Sequence, residues 1–213
     1  PEVLVPARRS VSGPGPGELQ LAVEACGVNR PDVMQRQGRY RPPPGASDIP
    51  GLEAAGEVLA VGEGVPTTLI GQQLTALCPG GGYASHVTLP WQHALPWPAG
   101  FTAVQAAALP ETFFTVYGNM VFRGRLKAGE RVLIHGGSSG IGTTAIQKAR
   151  ALGAAQIIVT VRTPEKAEAC LALGADHALL YPDVAWEDEV RALTDGAGVD
   201  GILDMVAGPY VAR

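Results

Sequence analysis

The stretch Arg131-Val132-Leu133-Ile134-His135-Gly136-Gly137-Ser138-Ser139-Gly140-Ile141-Gly142 decides how this chain folds. A short run with β-branched residues enters a glycine-rich turn, and residues 143–152 continue with apolar positions at helical spacing. That is the pattern of a strand, a tight turn and a helix N-terminus. Glycines in such a turn let backbone N–H groups approach a pyrophosphate, whose charge the helix dipole also favours. Roughly twenty residues past the turn, a dinucleotide site for NAD carries an Asp or Glu for the ribose hydroxyls. Here Arg162 stands instead. A carboxylate repels a 2′-phosphate, whereas a guanidinium attracts it and can bind it bidentately. The pattern predicts an NADPH-binding parallel sheet.

Working outward, residues 157–161 read as a buried parallel strand, and Thr163 followed by Pro164 opens a helix that Gly174 stops. A short strand at 178–181, a helix at 186–194 and a strand at 201–204 complete a β-α-β-α-β-α-β order, hence a doubly wound (Rossmann) sheet. Upstream, residues 102–109 and 111–122 read as helices. The first half is different: short runs at 19–25, 56–62, 74–77 and 84–88 alternate between Gly- and Pro-rich turns, which suits a small irregular β-barrel. Arg41-Pro42-Pro43-Pro44-Gly45 reads as a stiff, extended surface loop. The expected division is a barrel domain over residues 1–105 and a nucleotide domain over residues 106–213.

Composition narrows the function classes. The chain has 213 residues, 46% of them hydrophobic and 17% charged, with a net charge of −4. That balance argues against nucleic acid as the main partner. No run approaches the ~20 apolar residues of a membrane-spanning helix. The three cysteines are isolated and suit buried, reduced thiols in a cytoplasmic protein. The absence of an initiator Met and the stop at Arg213 read as truncation at both ends.

The glycine turn alone also matches short-chain dehydrogenases, but those place it near the N-terminus and follow it with a Tyr-x-x-x-Lys pair that this chain lacks. The first half carries the more specific signal. The string from Gly27-Val28-Asn29-Arg30-Pro31-Asp32 to Tyr40, then Ile49-Pro50-Gly51-Leu52-Glu53-Ala54-Ala55-Gly56, Pro79-Gly80-Gly81-Gly82 and Leu173-Gly174-Ala175, resembles the zinc-free NADPH:quinone oxidoreductases. These belong to the medium-chain dehydrogenase/reductase superfamily and include zeta-crystallin-like enzymes. The resemblance implies a GroES-like barrel ahead of the nucleotide domain, both incomplete here, and a homodimer for the complete protein.

The same superfamily contains zinc alcohol dehydrogenases, whose metal needs Cys and His ligands. At the matching points this chain has Asn29 and Leu52, so no metal is expected. By resemblance, Gly137, Ser139, Gly140, Ile141 and Gly142 surround the pyrophosphate. Arg162, Thr163 and Lys166 face the 2′-phosphate, with Tyr181 beside the adenosine. For Thr163 and Lys166, a helix cap and a solvated lysine are the competing roles. Asn29 and Thr115 are placed at the nicotinamide or its ribose, and Tyr40 at the substrate. An acceptor reduced without a metal must already be activated, as a quinone or an enone is. Reduction of enals or enoyl thioesters, and a non-catalytic NADPH-binding role, are the alternatives.

Overall fold

A computed structural model describes residues 3–181 and 185–212. The chain divides into two units, Pro1–Glu111 and Thr112–Arg213.

The first unit is a five-stranded antiparallel sheet, with β1 (Glu18–Cys26), β2 (Glu53–Val61), β3 (Gln73–Leu77), β4 (His86–Pro90) and β5 (Ala94–Pro96) in the order β4-β1-β2-β3-β5. Alternation builds its core. Leu19 and Leu21 on β1 and Val87 and Leu89 on β4 face inward, joined by Val58, Leu74 and Ala76. Two register shifts against β2 bend β1, as expected of an irregular barrel strand. β2 begins three residues before the expected 56–62 run. The Ala54-Ala55-Gly56 segment has weak strand propensity, but it pairs closely: a Cβ on Gly56 would strike the Ala22 carbonyl.

α1 (Arg30–Arg36) follows β1, and α2 (Ala103–Ala107) follows β5. The Thr75 hydroxyl donates to the Ala106 carbonyl at 2.6 Å, and Ala106 and Ala107 pack on Ala55. Those contacts keep α2 with the sheet, so the division falls beyond the expected residue 105. Pro44-Gly45 forms a turn, with Ala46 N donating to Pro43 O at 3.0 Å and Gly45 at φ +83°. Proline followed by a left-handed glycine favours that turn, so the segment is not extended throughout.

The second unit holds β6 (Arg131–His135), α4 (Gly140–Ala151), β7 (Gln156–Val161), α5 (Pro164–Ala172), β8 (His177–Leu180), α6 (Trp186–Leu193) and β9 (Gly201–Leu203). The strands are parallel in the order β8-β7-β6-β9. Both faces are covered, which is why β6 and β7 read as continuous apolar runs. Val132, Ile134, Ile157, Val159 and Val161 pack toward Ile146 and Cys170 on one side, and Leu133 and Ile158 pack on Trp186 and Val190 on the other. The expected 111–122 helix is α-helical only as α3 (Pro110–Val116), then widens to a π-helix over Tyr117–Arg123. Gly118 and Val121 weaken the α form there, and Gly124 N closes the wide turn on Asn119 O at 2.8 Å.

Ile158 is fully buried. Ile158→Ala should lower unfolding free energy by about 2–5 kcal/mol in urea titration, and a loss below about 1 kcal/mol would show that the site collapses without a cavity.

Candidate functional site

The glycine turn joins β6 to α4 in the second unit. Gly136 takes φ +69°, a conformation that favours glycine. A Cβ on Gly137 would lie 2.6 Å from the Val159 side chain, and one on Gly142 would meet the Gly136 and Gly137 carbonyls. The turn is thus closed down on β7 and on itself, with a bare backbone where the sequence predicts a pyrophosphate. Ser139 is the N-cap of α4, its Oγ accepting from Gly142 N at 3.0 Å. Gly140 and Ile141 open the helix behind it. Thr160 on β7 steadies the turn, its carbonyl accepting from Gly137 N at 3.0 Å and its hydroxyl from Gly136 N at 3.3 Å. The Ser139 hydroxyl also donates to the sulfur of Met205, just past β9, at 3.1 Å. The loops after β6 and β9 therefore meet where the strand order reverses, the place where open α/β sheets bind ligands.

At the end of β7, Arg162 Nε donates to the Tyr181 hydroxyl at 2.9 Å, and the guanidinium lies 5.9 Å from the ring centre. The two residues predicted for the adenosine side are thus one unit, although 19 positions apart. Thr163 is the N-cap residue of α5 by backbone, with Ala167 N bonded to its carbonyl at 3.1 Å. Its side chain makes no capping bond. The hydroxyl instead donates to Glu165, and that bond, first among the causes, holds the Glu165 carboxyl below its ordinary range. Lys166 is exposed on the first turn of α5.

His135 is buried against Trp186 and Tyr210, its Nδ1 3.0 Å from the Thr160 hydroxyl. Burial pushes its pKa down, so it packs as a neutral ring.

In the first unit, Asn29 precedes α1 and is half-buried. Its Nδ2 donates to Glu53 Oε1 at 2.8 Å, and Glu53 Oε2 accepts from Glu111 N at 2.9 Å. Asp32, one turn into α1, accepts from Asn29 N at 2.8 Å, Gly51 N at 2.9 Å and the Tyr83 hydroxyl at 3.2 Å. Asp32 and Glu53 are only 4% and 3% exposed. Burial pushes the Glu53, Glu111 and Tyr83 groups up, and neighbouring carboxylates add to each shift. Tyr40 is half-buried past α1, and Thr115 is half-buried on α3, its carbonyl accepting from Asn119 Nδ2 at 2.9 Å. Asn29 and Tyr40 belong to the first unit, while Thr115 and the residues expected at the phosphates belong to the second. Asp32, Tyr83, Glu111 and Thr160 were not legible as site residues. Only the Asn-x-x-Asp spacing before a helix signalled one of them.

The donors around Asn29 do not make a zinc set. Leu52 has no ligand atom, the Asn29 amide nitrogen faces Glu53, and no group of three His, Cys, Asp or Glu among the described residues could hold a metal ion. Among those residues no helix is long and apolar enough to cross a membrane.

Family models match both halves: the alcohol dehydrogenase GroES-like domain over residues 15–99 and the zinc-binding dehydrogenase model over residues 140–213. The chain belongs to the medium-chain dehydrogenase/reductase superfamily. Within this superfamily it is similar to the CurK enoyl reductase (TM-score 0.85, 30% identity, 96% of this chain and 64% of that one). It is also similar to the Escherichia coli quinone oxidoreductase complexed with NADPH (TM-score 0.82, 31% identity, 97% and 63%). A mycocerosic acid synthase-like polyketide synthase of Mycobacterium tuberculosis is 36% identical over 195 residues, which are 92% of this chain and 9% of that protein. The chain thus spans less than two thirds of each of these relatives.

Cys78 and Cys170 are buried as expected, whereas Cys26 is exposed; burial raises the Cys78 thiol to about 12, with Glu53 and Cys26 adding to the shift. The thiolate that reacts is therefore scarce at Cys78 at pH 8. Iodoacetamide followed by peptide mass spectrometry should label Cys26 well before Cys78; equal rates would contradict this burial.

Proposed function

We propose that the complete protein is an NADPH-dependent, zinc-independent oxidoreductase that reduces a quinone-like acceptor. The observation that carries this reading is the bond between Asn29 and Glu53 at the point where a zinc dehydrogenase would need ligands. The side chains there form hydrogen bonds among themselves, and Leu52 ligates nothing. Without a Lewis acid to polarise an ordinary carbonyl, the acceptor has to be conjugated and already electron-poor.

When bound, the reduced nicotinamide supplies the hydride. The residues present fit such a cofactor, because the left-handed Gly136 and the close packing that only glycine allows at Gly137 and Gly142 bring a bare backbone turn to the N-terminus of α4. Gly137, Ser139, Gly140, Ile141 and Gly142 would hold the pyrophosphate through backbone N–H groups and the N-terminus of α4. Arg162, steadied by Tyr181, gives the 2′-phosphate a fixed cation, with Lys166 and the Thr163 hydroxyl nearby in sequence. Asn29 and Thr115 would orient the nicotinamide, and Tyr40 would border the acceptor, where its hydroxyl can donate a hydrogen bond or a proton. Three free thiols support a reducing compartment such as the cytoplasm.

Reduction of an enoyl thioester is a second reading, favoured by the similarity to the CurK enoyl reductase and to a polyketide synthase. Both acceptors are conjugated carbonyls and ask the same of Asn29 and the glycine turn. Assays of the complete protein with an ortho-naphthoquinone and with a crotonyl thioester, each with NADPH, separate them. The quinone should turn over faster. Turnover of the thioester alone would transfer the protein to the second reading, and tight NADPH binding without turnover on either would make it a binding protein.

Arg162→Ala should raise the KM for NADPH about 10- to 100-fold while leaving that for NADH unchanged, since one charge-assisted contact to the 2′-phosphate is lost. Equal changes for both cofactors would remove Arg162 from the phosphate site.

A further inference from the structure

A carboxylate as buried as Glu53 needs donors on both oxygens, and it has them: the Asn29 amide on Oε1 and the Glu111 N–H on Oε2. An ionised carboxylate only accepts, so the amide must turn its NH2 end toward Glu53. One Nδ2–H is engaged in this way, and the same NH2 group carries a second N–H. The Glu53 side chain has little room to move, because a Cβ on Gly27 would run into its carboxylate. Asn29 is held a second time through its backbone, whose N–H donates to Asp32. Backbone and side chain of this one residue are therefore fixed by two different buried carboxylates.

We infer that Glu53 is the positioning residue of the site, holding the Asn29 amide in the single orientation that presents an N–H to the reactants. It rests on the reading of Asn29 as a residue that meets the nicotinamide or the acceptor.

Acid should loosen this orientation. A protonated Glu53 gains an O–H donor, so it no longer holds the NH2 end of Asn29 alone and the amide can turn its oxygen toward it. The titratable groups that face Glu53 are Cys26 on β1, Asp32 on α1, Cys78 after β3, Tyr83 in the following loop and Glu111 on α3. All are acids, and none of them supplies a positive charge. Burial pushes the Glu53 carboxyl up and Asp32 adds to the rise, while the bonds from Glu111 N and Asn29 oppose it. The group is ionised above this raised pKa and protonated below it. Activity should therefore be present at neutral pH and fall as pH drops through a midpoint above the usual carboxylate range.

The test is Glu53→Gln in the complete protein, alone and combined with Asn29→Ala. Glutamine keeps the shape but offers one acceptor where two donors need one each. The expected result is a fall in kcat of about 10- to 100-fold with the KM for NADPH unchanged, as for a misplaced reacting group. In the Asn29→Ala background the second change should add nothing, and the acid limb should be gone from both variants. A readout independent of turnover needs no folded variant of Glu53: the Asn29 side-chain amide resonance of the wild-type protein, identified by its loss in Asn29→Ala, should move with the Glu53 titration. Loss of turnover in Asn29→Ala, with full turnover in Glu53→Gln and an unmoved amide resonance, would overturn the role of Glu53 alone. Full turnover in Asn29→Ala would overturn the assignment of Asn29 itself, and this inference with it. Multiplying losses in the double variant would make Glu53 a purely structural group.

Discussion

Two buried carboxylates, Asp32 and Glu53, with no cation beside them among the described residues, hold the first unit in its shape. Each is stabilised by donors rather than by counter-ions, and the donors come from separate parts of the chain. Asp32 gathers the start of α1, the backbone at Gly51 and the Tyr83 hydroxyl; Glu53 gathers Asn29 and the start of α3. Losing any one donor would leave a charge buried and poorly satisfied, so the loops around Asn29 have little freedom. Gly51 fits because it takes φ +108° at a point where a Cβ would lie 2.5 Å from Tyr83 N. The polar network and the glycines thus depend on one another.

The nucleotide half solves a different problem. Its glycine-rich turn, proposed to bind a pyrophosphate, has to keep its shape without bulky side chains. Thr160 and Ser139 accept from some of its backbone N–H groups, and Val159 leaves no room for a side chain at Gly137. Neighbouring strands therefore supply the rigidity, while the turn keeps its openness. The Arg162–Tyr181 pair works in the same manner at the end of β7, where a hydroxyl holds a guanidinium in place.

Most of the architecture was legible in the sequence because it is local. Gly136 to Gly142, the β-branched runs of β6 and β7, and Pro164 at the first position of α5 each act within a few residues of themselves. The period-two pattern of Leu19 and Leu21 likewise needs no distant partner to be read. The polar network was not legible, since Glu53 meets Asn29 across 24 positions and Glu111 across 58. Nothing in the chain near Glu53 announces a buried carboxylate, and Asp32 looks like an ordinary helix-start residue. The turn at Pro44-Gly45 and the π-helix after Val116 were missed for the opposite reason. There, a local alternative to the expected geometry carries a small energetic difference that pattern alone does not resolve.

The proposed reduction of a conjugated acceptor relies on hydrogen-bonding side chains standing where a zinc dehydrogenase would carry its ligands. The most direct measurement is the rate of NADPH oxidation with a quinone by the complete protein, before and after exhaustive treatment with a chelator, alongside its zinc content. Undiminished turnover in zinc-free protein is the predicted result. Turnover that is lost on stripping and restored by added zinc would contradict it.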